Sequence, residues 1–186
     1  MDKCIITCDP GLPGALAFWD IEQWEYAVSS IRKNPSIIPP SPLLGTFEFD
    51  GEKINTSYED ACGFALQCIL SRLSGLSVVR FFYERPKVFS SYKSIAAAES
   101  GSISKLAFFT GRLHEFFNSN FSSKVFPVDV IKWKGSLPKG VVHSRVEQVF
   151  GEKLTLSSHE IDAIGIGLFI LSRESRIEKW LTLRFH

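Results

Sequence analysis

The sequence lacks what would tie it to a membrane, a secreted scaffold or a structural zinc. No segment approaches the roughly 18 uninterrupted apolar residues that argue for a bilayer span. The opening Met1-Asp2-Lys3 has none of the apolar core of a secretory signal, so an intracellular chain is expected, in cytoplasm or another DNA-containing compartment, with cellular and viral origins both open. Cysteines stand at 4, 8, 62 and 68 with no Cys-x-x-Cys pair and no histidine at zinc-finger spacing, which favours reduced, partly buried thiols over a metal or disulfide framework. Net charge is nearly absent too: 21 Lys/Arg against 20 Asp/Glu leave +1.

The charge that is present is unevenly placed. The first 79 residues carry 5 Lys/Arg and 10 Asp/Glu, whereas residues 80–153 carry 12 and 6. Such a basic central segment suits a polyanion-binding face, although solvated helix surfaces produce the same run. With 186 residues, 45% hydrophobic and 13% aromatic, the chain has the material for one sizeable core and a single domain over 1–186.

Periodicity predicts strands first and helices later. Residues 3–9, 14–20 and 24–28 read as a three-stranded meander, with turns at Pro10-Gly11 and near Glu22-Gln23. The Pro-rich stretch from Asn34 to Pro42 excludes helix, and Leu44 to Ile54 reads as a small hairpin outside the main sheet. Ser57 to Leu73 has a capping serine and apolar residues at helical spacing. Ser77 to Tyr83 is a dense Val- and Phe-rich run, as expected of a central strand. A helix over Ile103–Phe117, a strand over Lys124–Asp129, a helix around Val141–Phe150 and an apolar helix from Ser158 complete the reading.

Carboxylates fall at telling places on these elements. Asp9 ends the first strand, ahead of Pro10-Gly11-Leu12-Pro13-Gly14, and Glu84 ends the Ser77–Tyr83 strand. His159 and Asp162, three apart, share one face of the first turn of the last helix. A half-buried acid at a strand end is costly unless hydrogen-bonded, ion-paired or placed on a metal. Asp9, Glu84, His159 and Asp162 together form a donor set suited to Mg²⁺ or Mn²⁺, and two such cations about 4 Å apart can activate a water and stabilise the leaving oxygen of a phosphodiester. Read blandly, Asp9 and Glu84 would be turn-capping acids and His159 a residue of the helix start.

Three segments carry a family resemblance. Asp9-Pro10-Gly11-Leu12-Pro13-Gly14-Ala15-Leu16-Ala17, Tyr83-Glu84 with a nearby Phe, and His159-Glu160-Ile161-Asp162-Ala163 resemble, in order and spacing, the signature segments of RuvC-type Holliday junction resolvases. The resemblance runs from residue 3 to about 172, with a Pro-rich insertion at about 30–56. It implies an α/β, RNase H-like domain, with a five-stranded mixed sheet flanked by helices on both faces. It also implies a homodimeric crossover junction endodeoxyribonuclease that uses two Mg²⁺ or Mn²⁺ ions per site and cuts two opposed strands of branched DNA, a four-way junction.

By the same resemblance Asp9 would bridge the two metals, Glu84 and Asp162 would be the further carboxylates, and His159 would bind metal or orient water. Phe89, or Tyr92, would be the aromatic that works on junction bases, with Phe89 as a plain loop anchor the other reading. Lys87, Lys132, Lys134 and Lys139 would face DNA, against the reading of a solvated loop for the last three. Trp133 reads either as a base-stacking ring or as a tryptophan packed beneath its loop. Related nucleases of flaps, forks or precursor RNA, and an inactive junction-binding module, are the alternatives. An actin-like ATPase is disfavoured, since the chain is too short for two such domains and has no second glycine-rich phosphate loop. No membrane partner and no nucleotide cofactor are expected.

Overall fold

Alternation along the first strand decides which way Asp9 faces. The structure is a computed structural model that describes residues 2–50, 57–86, 96, 99–135 and 137–177. In β1 (Asp2–Asp9), Cys4, Ile6 and Cys8 enter one apolar layer while Ile5 enters the other. With side chains alternating every residue, Thr7 and Asp9 follow Ile5 onto the second face.

β1 lies at the centre of a five-stranded sheet ordered β3-β2-β1-β4-β5. It runs antiparallel to β2 (Gly14–Asp20) and parallel to β4 (Leu76–Arg85). β2 pairs antiparallel with β3 (Leu43–Phe49), and β4 parallel with β5 (Lys124–Asp129), so the sheet is mixed. An irregularity between Cys4 and Ile5 resets the register so that Thr7 stands opposite Phe82. Two residues further along, Asp9 and Glu84 therefore emerge at neighbouring strand ends on the same face.

Helices cover both faces. The Cys4, Ile6 and Cys8 side packs on α2 (Tyr58–Arg72) and α3 (Ser102–Phe121), with Phe81, Phe109 and Phe117 fully buried between them. The other side packs on α1 (Ile21–Lys33), α5 (Lys139–Phe150) and above all α6 (Ser158–Glu174). A four-residue helix, α4 (Val130–Trp133), follows β5 directly. Cys4, Cys8 and Cys62 are buried and free, and Cys68 is half-buried and free. Among the described residues no helix is long and apolar enough to cross a membrane.

Two expected elements are replaced. Residues 24–28 are helix, not the third strand of a meander. Asp20 accepts from the Gln23 amide as an N-cap, and Trp24, Ala27, Val28 and Ile31 are buried at helical spacing, so the period is that of α1. The third strand is instead Leu43–Phe49, which is not part of a hairpin outside the sheet: it supplies the edge that β2 requires, from Gly14↔Phe49 to Trp19↔Leu43. Residues 51–54 of the expected hairpin lie outside the described residues. The order is therefore an alternation of strands and helices, and not strands followed by helices.

α6 is seated by small residues and one polar relay. The Trp19 indole donates to Thr7 Oγ1 at 2.8 Å, and that hydroxyl donates to the Ala163 carbonyl at 2.7 Å, which links β2, β1 and α6 through the core. A Cβ at Gly167 would lie 2.1 Å from Trp19 Cζ2, so only glycine lets the helix approach this ring. The helix is buried nearly all round, as its apolar body predicts.

Candidate active site

Asp9 leaves β1 into a turn that closes tightly on itself. A Cβ at Gly14 would meet the Asp9 carbonyl at 2.6 Å and Phe49 Cζ at 2.8 Å, so β2 can start there only with glycine. The turn brings Asp9 against the first turn of α6, where Asp9 Oδ2 and His159 Nδ1 are 2.8 Å apart. That hydrogen bond, opposed by partial burial and aided by the Asp9 charge, holds the His159 pKa above its ordinary value.

The start of α6 is fixed by a reciprocal capping box. Ser157 accepts from the Glu160 amide at 3.2 Å, and Glu160 Oε2 accepts from the Ser157 amide at 2.8 Å. Glu160 Oε1 accepts from Thr46 Oγ1 at 2.5 Å, which ties the helix to β3. This orients His159 and Asp162 and leaves Glu160 in a structural role. The Ser157-x-x-Glu160 pattern was the sequence signal for that brace.

Glu84 and Asp162 have different partners from one short segment. Glu84 Oε2 accepts from the Trp133 indole N–H at 2.9 Å, and Asp162 Oδ2 accepts from Lys134 Nζ at 2.6 Å. Asp162 is only 5% exposed and its pair with Lys134 is largely buried. Burial raises the Asp162 pKa, the Lys134 ammonium lowers it, and Asp9 raises it again. Glu84 is pushed up to about 7, first by burial and then by the Asp9 charge, with Lys134 and the Trp133 hydrogen bond working in the opposite direction and Asp162 adding to the rise. At one end of the sheet the Asp9 and Asp162 charges thus oppose ionisation of Glu84, and the Asp9 charge that of Asp162.

Their chemistry fits a hard divalent cation. Carboxylate oxygens with an imidazole beside them are suitable donors, and the mutual repulsion at Glu84 is what a cation would relieve. The side chains are turned to His159, Trp133 and Lys134, however, and among the described residues no three His, Cys, Asp or Glu side chains stand together as a ready metal cage. Lys134 already supplies one positive charge.

The remaining candidates are spread around this site. Lys132 is exposed and pairs with Asp129 at 3.3 Å, while Arg85, the residue after Glu84, also pairs with Asp129. Lys139 Nζ stands 3.5 Å from Ser158 Oγ at the start of α6. Lys134 faces the acids, with its side chain 14% exposed. Phe89, Tyr92 and Lys87 lie outside the described residues. Trp133 is packed beneath its loop, 3% exposed, and its contact with Glu84 had no signal in the sequence beyond the choice of a tryptophan there. His114 and His143 lie away from the acids, beside Tyr83 at 3.3 Å and Glu147 at 3.4 Å.

A mixed sheet of this order, covered by helices on both faces, defines an RNase H-like fold. The structure is similar to T. thermophilus RuvC in complex with Holliday junction substrate, with a TM-score of 0.60 and 14% identity over 92% of this chain and 94% of that one. It is also similar to a second Thermus thermophilus RuvC structure, with a TM-score of 0.51 and 15% identity over 92% of this chain and 95% of that one. At that identity the likeness is one of fold. No protein-family model and no curated protein matches the sequence.

Proposed function

We propose that this chain is a metal-dependent, structure-selective endonuclease that resolves four-way DNA junctions by hydrolysing phosphodiester bonds in two opposed strands. The observation that carries the reading is the meeting of Asp9, Glu84 and Asp162, from β1, β4 and α6, with His159 on Asp9, at one end of a RuvC-like sheet. The Asp9 and Asp162 charges raise the cost of ionising Glu84, and perturbed acids of this kind gather at functional sites.

Asp9, Glu84 and Asp162 would hold the cations, with His159 beside Asp9. Mg²⁺ or Mn²⁺ bound there would supply a nucleophilic water at neutral pH and charge neutralisation at the leaving oxygen. The protein's own part is to orient the acids. The capping box sets the angle of α6, His159 fixes one oxygen of Asp9, and the Trp133-Lys134 segment holds Glu84 and Asp162 apart. Lys132 and Lys139, on the same side of the fold, would meet backbone phosphates, as would Lys87, with Phe89 or Tyr92 against bases.

Two opposed cuts require two sites, so a homodimer belongs to the proposal. Sedimentation should give a dimer, and a stable monomer making paired cuts contradicts it. The substrate is tested with labelled four-way junction, fork, linear duplex and RNA, each with Mg²⁺ and with chelator. Cleavage confined to the junction and to Mg²⁺ is expected. Equal cutting of forks or RNA overturns the junction assignment, and binding without cutting any substrate overturns the nuclease assignment.

A further inference from the structure

The segment between β5 and α5 touches two of the acids with two adjacent residues, and Trp133 is the common element. Its indole N–H donates to Glu84 Oε2 at 2.9 Å. Its ring lies 5.1 Å from Lys134 Nζ, and that ammonium is the group that holds Asp162 at 2.6 Å. A cation over an indole face is attracted by the ring's quadrupole, so the ring restrains Lys134 as well. One side chain thus bears on Glu84 through its edge and on Asp162 through its face.

The seat of that ring lies on α6. Gly165 follows Asp162 by three residues and so shares its side of the helix. A Cβ at Gly165 would lie 2.8 Å from Trp133 Cζ3, and the ring is buried to 3% exposure. The indole is therefore clamped between the end of β4 and the helix that carries Asp162, with no room to shift. A buried indole needs a partner for its N–H, and here that partner is a carboxylate of the site.

We propose that Trp133 is a positioning residue, seated on Gly165, that sets the separation and orientation of Glu84 and Asp162 for divalent-cation binding. The proposal rests on the reading of those acids as cation ligands. Partners of metal ligands have a measurable signature: their loss weakens metal affinity or activity by roughly 10- to 100-fold.

Two variants separate this role from simple packing. Trp133→Phe keeps most of the ring and removes the N–H, while Gly165→Ala keeps the N–H and removes the seat. Mn²⁺ affinity is measured by titration calorimetry without DNA, alongside junction binding in chelator and single-turnover cleavage across a Mg²⁺ series. Both variants should bind Mn²⁺ roughly 10- to 100-fold more weakly, keep wild-type junction affinity in chelator, and recover cleavage as Mg²⁺ is raised. A folded Trp133→Phe protein with wild-type Mn²⁺ affinity overturns the proposal. Should that variant not fold, wild-type Mn²⁺ affinity in Gly165→Ala overturns it equally. Wild-type protein that binds no Mn²⁺ overturns the ligand reading itself, a result distinct from loss in the variants alone.

Discussion

Glu84 bears the strongest electrostatic conflict of the site, and its consequence is a pH dependence of stability. With a pKa pushed up to about 7 from 4.5, it keeps its proton in the folded state over a window in which the unfolded chain releases it. Without metal, stability therefore falls as pH rises through that window, by roughly 1.4 kcal/mol per unit of displacement. His159 acts in the same direction: with its pKa raised by Asp9, its contribution is present at pH below 6.5 and lost as pH rises through the folded value. Glu84→Gln should flatten the loss of stability as pH rises from 4.5 to about 7, in urea titrations with chelator present. An unchanged slope would place the conflict elsewhere. Lys134 is the second decisive residue. Lys134→Ala leaves Asp162 buried without its cation, and removal of one partner from a buried pair costs about 3–5 kcal/mol. Equilibrium unfolding near pH 7.5 should show a loss of that order, while a loss below about 1 kcal/mol would mean that the pair is effectively solvated.

At the scale of elements, α6 joins the sheet to the site, and its glycines set how closely. Gly167→Ala would drive a methyl into the Trp19 indole, whose own N–H is committed to Thr7. Overpacking of this kind costs about 1–3 kcal/mol. The urea midpoint should fall accordingly, and a neutral result would mean that the helix can lift away from Trp19. The ends of β1, β4 and α6 were legible in the sequence because apolar runs interrupted by an acid are local signals, and in the structure the Asp9 and Asp162 charges both act on Glu84. The third strand was not. Trp24, Ala27, Val28 and Ile31 carry a helical period that a short window over 24–28 conceals. Leu43–Phe49 is a partly exposed edge strand after a proline run, and pairing with β2, a contact distant in sequence, decides its place. The partners of Glu84 and Asp162 were equally hidden, since Trp133 and Lys134 reach them across separations of 49 and 28 residues.

For the whole molecule, the near-neutral total conceals a division of labour. The acids gather at one end of the sheet, whereas the basic excess lies in residues 80–153, which include the Lys132 to Lys139 segment beside them. A polyanion would thus be drawn toward the acids by their surroundings and not by the acids themselves. Binding and cutting should then be separable, and Asp9, the acid between β1 and α6, is the place to separate them. The most direct measurement compares wild-type protein with Asp9→Asn on a labelled four-way junction in Mg²⁺, with junction binding followed in chelator. The account predicts that the variant binds the junction as the wild type does and makes no cuts. Near wild-type cleavage by Asp9→Asn would contradict it.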